Sequence, residues 1–298
     1  MNGEPKESAV SGRRRIVPAN GAKLAVFEYG LAAGPGVDTV VLLHGYPDDH
    51  RMWRPVIEQL AGDFHIVAYD TRNAGESWVD TAGLAPFRIR YLVDDFYTVL
   101  EALDVPKAHI VAHDWGSVQA WAVVRDERAE AAVASMLSAS GPDTAHLKRW
   151  YRDRLSRFAT VRQGLNQLLK SWYIWMFQLP KLPELAVPKI ISRLPADYDR
   201  GNNAVRGIAL YRANVGIRNV RRPAGLAPAG AVLRKRTEVP VLLANAQRDK
   251  YVSPDLAEGV SAWAPALEQL TVPGGHWWPA QDPEAFAAVA ADWIGRNR

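Results

Sequence analysis

The stretch Ala108-His109-Ile110-Val111-Ala112-His113-Asp114-Trp115-Gly116 decides the fold of this 298-residue chain. Its first part is apolar enough for a buried strand, and Ser117–Arg125 has the composition of a helix. Asp114 lies between them, with the small residues Ala112 and Gly116 two positions away on either side. This spacing is that of a nucleophile elbow, a tight strand-to-helix turn that projects a reactive side chain. Asp114 is therefore the candidate nucleophile.

Two residues further along the chain complete a possible catalytic set. An aspartate after a strand also caps helices, so Asp114 alone would not indicate catalysis. Asp249 and His276 follow it in the order acid then base, each just beyond a predicted strand. An Asp–His pair fixes the imidazole tautomer and stabilises its protonated form, which makes the histidine a competent base. Order and position favour a catalytic set over separate loop residues, and Asp143 is the alternative acid.

Apolar segments alternate with helical patterns on both sides of the elbow. We predict strands at Lys23–Tyr29, Thr39–Leu43, Phe64–Tyr69, Ala108–Ala112, Ala131–Leu137, Val239–Ala246 and Glu268–Val272. We predict helices at Met52–Leu60, Arg90–Leu103, Ser117–Arg125, Asp255–Trp263 and Pro283–Ile294. This alternation predicts an α/β fold with a mostly parallel central sheet that is covered by helices on both faces.

The alternation stops in the middle of the chain. Residues 142–237 are rich in arginine and aromatic residues and contain several prolines, a pattern typical of helices joined by turns. We therefore predict a core in two parts, 1–141 and 238–298, with a helical cap inserted at 142–237. Such a cap would cover the carboxyl ends of the strands, where open α/β folds bind ligands.

The cap is also the basic part of the protein. Residues 142–238 contain 19 of the 36 Lys and Arg residues but 6 of the 32 Asp and Glu residues, which gives this segment a net charge of +13. This excess indicates either a solvated helical face or weak association with an anionic membrane surface. The sequence contains no secretory signal and no apolar run of about 18 residues, so we expect a cytoplasmic protein, at most peripheral to a membrane. Nothing in the sequence indicates a nucleic-acid partner, and the absence of cysteine excludes disulfides and thiolate metal sites.

A second loop is predicted at the same edge of the sheet as Asp114. His44-Gly45-Tyr46-Pro47 follows the strand Thr39–Leu43 directly. The backbone N–H groups of Tyr46 and Trp115 could then form an oxyanion hole, with His44, Gly45 and Pro47 shaping the loop. A plain Gly-Pro turn is the alternative interpretation.

Taken together, these motifs resemble those of α/β-hydrolase epoxide hydrolases. The resemblance extends over about residues 20–296. Within the family, the chain is similar in particular to the epoxide-hydrolase portion of actinobacterial EphD-like proteins. In this family two cap tyrosines hold the epoxide oxygen. By that resemblance the pair is Tyr173 and Tyr211, with Tyr151 and Tyr198 as alternatives.

The resemblance implies a two-step reaction. Asp114 would attack an epoxide carbon while Tyr173 and Tyr211 stabilise and protonate the leaving oxygen. Water activated by His276, which Asp249 orients, would then hydrolyse the alkyl-enzyme ester to release a vicinal diol. The expected partners are an epoxide and water, without metal or organic cofactor. Four aromatic residues are expected to bind an aromatic or lipid-like substrate: Trp115, Trp172, Phe177 and Trp277.

Two other functions use the same residues. A haloalkane dehalogenase would employ the same Asp114–His276–Asp249 set, although its leaving halide needs N–H donors where the cap offers tyrosines. A catalytically inactive ligand-binding relative is a further alternative. The oligomeric state, monomer or homodimer, is left open by the sequence.

Overall fold

The computed structural model describes residues 12–80, 82–191, 198–215 and 236–298. Within these ranges the strands are β1 (Arg13–Ala19), β2 (Ala22–Gly30), β3 (Thr39–Leu43), β4 (His65–Tyr69), β5 (Trp78–Val79), β6 (Ala108–His113), β7 (Val133–Ala139), β8 (Val241–Ala246) and β9 (Leu267–Val272). The α-helices are α1 (Arg54–Leu60), α2 (Ile89–Ala102), α3 (Trp115–Val124), α4 (Ala129–Ala132), α5 (Thr144–Leu155), α6 (Val161–Lys170), α7 (Trp172–Met176), α8 (Leu182–Ile191), α9 (Arg200–Asn214), α10 (Trp278–Gln281) and α11 (Pro283–Gly295).

The strands form one sheet in the order β1-β2-β4-β3-β6-β7-β8-β9, with β5 paired to β2. All pairs from β4 to β9 are parallel, whereas β1, β2 and β5 join antiparallel at one side. In the register, Leu43 of β3 is level with Tyr69 of β4 and with Ala112 of β6. The loops that follow these three strands therefore begin at the same edge of the sheet.

Both faces of the sheet are covered by helices. Helices α2 and α3 contribute buried apolar side chains to the core on one face, and α1 and α11 contribute to the core on the other. Strands β3, β4 and β6 are buried along their whole length, because helices pack on both sides of them. The predicted α/β fold with a mostly parallel sheet is confirmed.

Two predicted elements differ from the structure, and one strand was not predicted. Asp255–Trp263, predicted as one helix, forms two short 3₁₀ turns at Pro254–Ala257 and Val260–Ala262, because Gly259 takes a left-handed φ of 82° between them. The first two residues of predicted strand Ala131–Leu137 belong instead to α4. Strand β1 was not predicted, since its three arginines conceal the apolar alternation at an exposed edge.

Helices α5 to α9 lie between β7 and β8 in the segment predicted to form the cap. Helix α9 is tied to the core by side-chain amides: Asn203 accepts from the Gly75 N–H at 2.9 Å, and Asn214 donates to the Phe87 carbonyl at 2.8 Å. The predicted cap boundaries at 142 and 237 stay predictions, since 192–197 and 216–235 lie outside the described residues. Among the residues described, no helix has the length and hydrophobicity needed to span a bilayer.

Candidate active site

Asp114 occupies a strained turn between β6 and α3. Its backbone has φ 52° and ψ −120°, a conformation that residues other than glycine rarely adopt. The turn depends on close approach of neighbouring backbone: a Cβ added to Gly116 would lie 2.1 Å from the Leu43 carbonyl oxygen, and one added to Gly45 would lie 2.4 Å from the Asp114 Cβ. The two glycines therefore allow the strand, the turn and the His44–Pro47 loop to pack together beneath Asp114.

His276 lies between the two predicted carboxylates. Its Nδ1 is 2.9 Å from Oδ2 of Asp249, and its Nε2 is 3.5 Å from Oδ2 of Asp114. The other oxygen of Asp249 accepts backbone N–H bonds from Tyr251 at 2.7 Å and Val252 at 3.0 Å. These bonds fix the carboxylate, so Nδ1 carries the proton that faces Asp249 and Nε2 faces Asp114.

The electrostatics of the three groups are coupled. Burial alone would raise the pKa of Asp114, but the hydrogen bond and charge of His276 outweigh it and hold this pKa below its usual value. The pKa of Asp249 is lowered in the same way. Burial would lower the pKa of His276, yet the two carboxylates outweigh it and raise this pKa to about 9. The resting site thus holds an imidazolium between two carboxylates.

The predicted oxyanion loop contacts Asp114 directly. The Tyr46 backbone N–H donates to Oδ1 of Asp114 at 2.7 Å. His44 is buried behind the loop, where its Nε2 accepts from the Thr71 N–H at 2.9 Å and its Nδ1 faces the Gly45 carbonyl at 2.9 Å. Trp115 begins α3, whose first N–H groups have no acceptor within the helix. Backbone donors are thus available beside the Asp114 carboxylate.

Tyr173 and Tyr211 lie together over the site. Their ring centroids are 5.8 Å apart with the ring planes at 83° to each other. The Trp115 ring packs edge-on against Tyr211, with the centroids 5.0 Å apart. Burial and the negative charge of Asp114 raise the pKa of both phenols, so both stay protonated at neutral pH.

The alternative tyrosines and the alternative acid are engaged elsewhere. Tyr198 donates its hydroxyl proton to Asp48 at 2.6 Å, and the Tyr151 hydroxyl lies 3.4 Å from the Ser171 hydroxyl. Asp143 forms an ion pair with Arg125 at 2.7 Å and caps α5. Asp143 is therefore committed to a structural ion pair and a helix cap.

A cavity of about 150 Å³ lies beside Asp114, His276, Tyr173 and Tyr211. It is lined by Tyr46, Pro47, Asp114, Trp172, Tyr173, Met176, Phe177, Val187, Ile190, Ile191, Tyr211, Tyr251, His276 and Trp277. A second cavity of about 80 Å³ shares Asp114, Tyr173, Tyr211 and Tyr251 with the first, and Trp115 lines this smaller one. All four aromatic residues predicted to bind substrate therefore line one of the two cavities, and their binding roles stay predictions.

Sequence reasoning missed two residues of the site. Tyr251 lines both cavities, with its ring 4.8 Å from that of His276. Asp48, fully buried, accepts hydrogen bonds from Arg200 at 2.6 Å and from the Trp277 indole at 2.8 Å. Tyr251 is only two positions from Asp249, so proximity to the predicted acid was the available signal. Asp48 follows Pro47, but its partners are too distant in sequence to be recognised.

One group of possible metal ligands lies in the described part of the chain, below the Tyr46 loop. It consists of Asp49, His50 and Asp70, all buried. Asp70 already accepts the His50 N–H at 2.9 Å, and Asp49 is paired with Arg51 at 2.7 Å, which lowers its pKa to about 2. These carboxylates serve the loop as hydrogen-bond acceptors.

The chain is similar to known proteins along most of its length. The family model described as alpha/beta hydrolase fold matches residues 38–283. Probable oxidoreductase EphD of Mycobacterium tuberculosis is 30% identical over 294 residues, which are 94% of this chain and 49% of that protein. The chain thus spans about half the length of this relative. Epoxide hydrolase 3 of Mus musculus is 25% identical over 282 residues, 90% of this chain and 72% of that protein.

A solved structure has the same fold. The Bacillus megaterium epoxide hydrolase in complex with an inhibitor superposes with a TM-score of 0.73 at 22% identity, covering 94% of this chain and all of that one. The predicted resemblance to epoxide hydrolases is confirmed, because proteins similar to this chain carry that name. With its sheet order, its elbow and the family match over most of its length, the chain belongs to the alpha/beta hydrolase fold family.

Proposed function

We propose that the protein is an epoxide hydrolase that forms a covalent ester on Asp114. The observation that carries the proposal is the placement of Asp114 and of the adjacent phenols of Tyr173 and Tyr211 around one cavity. A carboxylate nucleophile needs an acid opposite it when the leaving atom is oxygen. The names of the relatives point to the same reaction.

In the first step, a carboxylate oxygen of Asp114 attacks an epoxide carbon and the carbon–oxygen bond of the ring breaks. The electron pair of that bond passes to the ring oxygen, which takes a proton from Tyr173 or Tyr211. The low pKa of Asp114 keeps the nucleophile ionised, and the raised pKa of both phenols keeps the proton available. The products are a hydroxyalkyl ester and a tyrosinate.

In the second step, water attacks the ester carbonyl of Asp114. His276 accepts the proton of the water, and the Tyr46 and Trp115 N–H groups hold the oxyanion. Collapse breaks the bond between the carbonyl carbon and the alkyl oxygen; that oxygen takes the proton of the added hydroxyl and leaves as a vicinal diol, so Asp114 returns as a carboxylate and His276 as an imidazolium.

The charge of Asp114 controls when His276 can act as a base. In the resting site the two carboxylates raise the pKa of His276 to about 9, so the imidazole is protonated and cannot accept a proton. Ester formation neutralises Asp114 and removes one of these charges. The pKa of His276 then falls, and its proton passes to the tyrosinate formed in the first step, whose pKa is raised by burial. His276 can therefore accept a proton from water only once the ester has formed.

Halide release fits the site less well. A leaving chloride or bromide would need free N–H donors, and three indoles line the cavities: Trp115, Trp172 and Trp277. The Trp277 indole already donates to Asp48 at 2.8 Å, and Trp172 is 60% exposed at the outer end of the cavity. The two donors that lie together beside Asp114 are the phenols of Tyr173 and Tyr211. A purely ligand-binding role would not need Asp249 to orient His276.

The substrate proposed is apolar. The larger cavity is walled by Trp172, Met176 and Phe177 on the cap side, and these side chains favour aromatic or aliphatic groups. Because Asp114 and the two tyrosines lie between the larger and the smaller cavity, an epoxide held there has space for a substituent on each carbon.

The proposal is tested by a panel of epoxides scored for diol formation. We expect turnover by the wild type, none by Asp114→Ala, and an alkyl-ester mass shift on the Asp114 peptide of His276→Gln. Tyr211→Phe should slow ester formation by about 10²-fold or more, whereas the matched Tyr151→Phe should not. An Asp114 peptide that stays unmodified in His276→Gln, or halide release from chloroalkanes without diol formation, would overturn the proposal.

A further inference from the structure

The cap carries an unusual concentration of exposed apolar side chains. Of thirteen large apolar side chains exposed in the described part of the chain, eight lie on α6 to α8 and the turns between them. We call this set the cap surface; it comprises Leu165, Leu169, Trp172, Trp175, Leu179, Leu182, Leu185 and Ile190, which are 47% to 73% exposed. Single exposed leucines are ordinary, but so many in one short segment mark an interaction surface.

The larger cavity opens on the cap surface. Trp172 and Ile190 line the cavity and are 60% and 56% exposed, whereas the other lining residues are buried or half-buried. The cavity wall and the cap surface therefore form one continuous apolar path from outside to Asp114. Whatever covers the cap surface also faces the entrance to the site.

The charges of this segment are almost all positive. Arg162, Lys181 and Lys189 are exposed, and the acidic side chain between them, Glu184, forms an ion pair with Arg212 at 2.5 Å. Exposed leucines and tryptophans interspersed with basic residues are the composition of segments that lie in the interface of anionic membranes. Tryptophan in particular prefers the headgroup level of a bilayer.

We propose that the cap surface docks on the surface of a bilayer that contains anionic lipid. The apolar side chains insert at the level of the headgroups, and the basic side chains contact the lipid phosphates. Docked in this way, the cavity opens towards the bilayer, and an apolar molecule dissolved there enters without crossing water. That last consequence rests on the proposed function, whereas docking itself does not.

The experiment compares the intact chain with three variants in vesicle cosedimentation. The vesicles are phosphatidylcholine alone or phosphatidylcholine mixed with phosphatidylglycerol. We expect binding to the mixed vesicles that weakens as salt is added. Arg162→Gln and Lys181→Gln together should weaken this binding about fivefold per residue removed. Leu169→Ser with Leu185→Ser should weaken it about tenfold or more, and neither residue lines a cavity.

Leu31→Ser is the matched control. Leu31 is an exposed leucine, and its N–H donates to the Phe64 carbonyl just before β4. Leu31 therefore lies at the edge of the sheet opposite the site. Its replacement should leave vesicle binding unchanged. Diol formation from a water-dissolved epoxide should be equal in all these variants, so failure of docking and failure of the proposed activity are distinguishable.

Two outcomes would overturn the proposal. The first is equal sedimentation with and without phosphatidylglycerol, or none with either. The second is a stable dimer by light scattering that Leu169→Ser with Leu185→Ser converts to a monomer, which would assign the cap surface to a second copy of this chain.

Discussion

His276 is the residue whose chemistry depends most on its surroundings. It lies within 3.5 Å of one carboxylate and 2.9 Å of another, and these raise its pKa from the ordinary 6.5 to about 9. The imidazolium therefore stabilises the resting fold fully below pH 6.5, and this contribution is lost as the pH rises through about 9. In the proposed reaction, the same interaction keeps His276 protonated until ester formation removes the charge of Asp114.

This arrangement predicts a pH dependence for each step. In single-turnover kinetics, hydrolysis of the Asp114 ester should speed up with rising pH, with a midpoint below the pKa of about 9 of the resting His276. Ester formation should instead stay constant across neutral pH, because the pKa of Asp114 is lowered. Equal midpoints for ester hydrolysis and for titration of the resting imidazole would contradict the charge switch.

At the scale of elements, two loops and one helix meet at one buried carboxylate. Asp48 belongs to the loop after β3, Trp277 to the loop after β9, and Arg200 begins helix α9, which also carries Tyr211. The charge of Asp48 thus links the loop that contains Tyr46, the loop that contains His276 and helix α9, which carries Tyr211. Tyr46 adds a second link, since its hydroxyl donates to the Ala204 carbonyl of α9 at 3.0 Å.

Asp48→Asn should weaken this junction. The asparagine keeps the size of Asp48 but removes the negative charge that faces the largely buried Arg200, so the free energy of unfolding should fall by about 3 kcal/mol. Trp277→Phe removes one neutral donor and should cost only about 1 kcal/mol. Urea denaturation measures both variants. Equal losses for the two would show that the charge of Asp48 is not what holds the elements together.

At the scale of the whole molecule, the candidate site lies between the edge of the sheet and two helices. The loops at the edge of the sheet carry Asp114 and His276, and helices α7 and α9 carry Tyr173 and Tyr211. The two cavities lie on either side of these groups, and the smaller one has no exposed residue among its described lining residues. The larger cavity therefore reaches the surface at Trp172 and Ile190, whereas the smaller is lined by buried and half-buried residues.

Filling the smaller cavity should change the selectivity among epoxide substrates. Leu147→Trp, on the wall of the smaller cavity, should lower kcat/KM for epoxides substituted on both carbons by about tenfold or more and spare terminal epoxides. The control is Lys148→Trp, which adds the same side chain at the neighbouring exposed position. Parallel losses for both substrate types would mean that the smaller cavity holds no part of the substrate.

The sheet was predictable from sequence because buried parallel strands are continuous apolar runs, as in Thr39–Leu43, and short loops follow them. The elbow at Asp114 was predictable for a local reason: its backbone geometry requires small residues at fixed positions nearby. Strand β1 was not, because an edge strand with one solvated side need not be apolar. Helical composition likewise did not show that Gly259 divides the segment after β8.

The sequence by itself determined which residues stand at the strand ends, and so named Asp114, Asp249 and His276 as candidates. Tertiary structure alone decided which donors are already engaged. The Tyr198 hydroxyl donates to Asp48 across 150 positions of sequence, and the Trp277 indole donates to the same carboxylate across 229 positions. Local patterns encode backbone conformation, but the partner of a side chain depends on how distant segments pack, and that packing is a property of the folded chain.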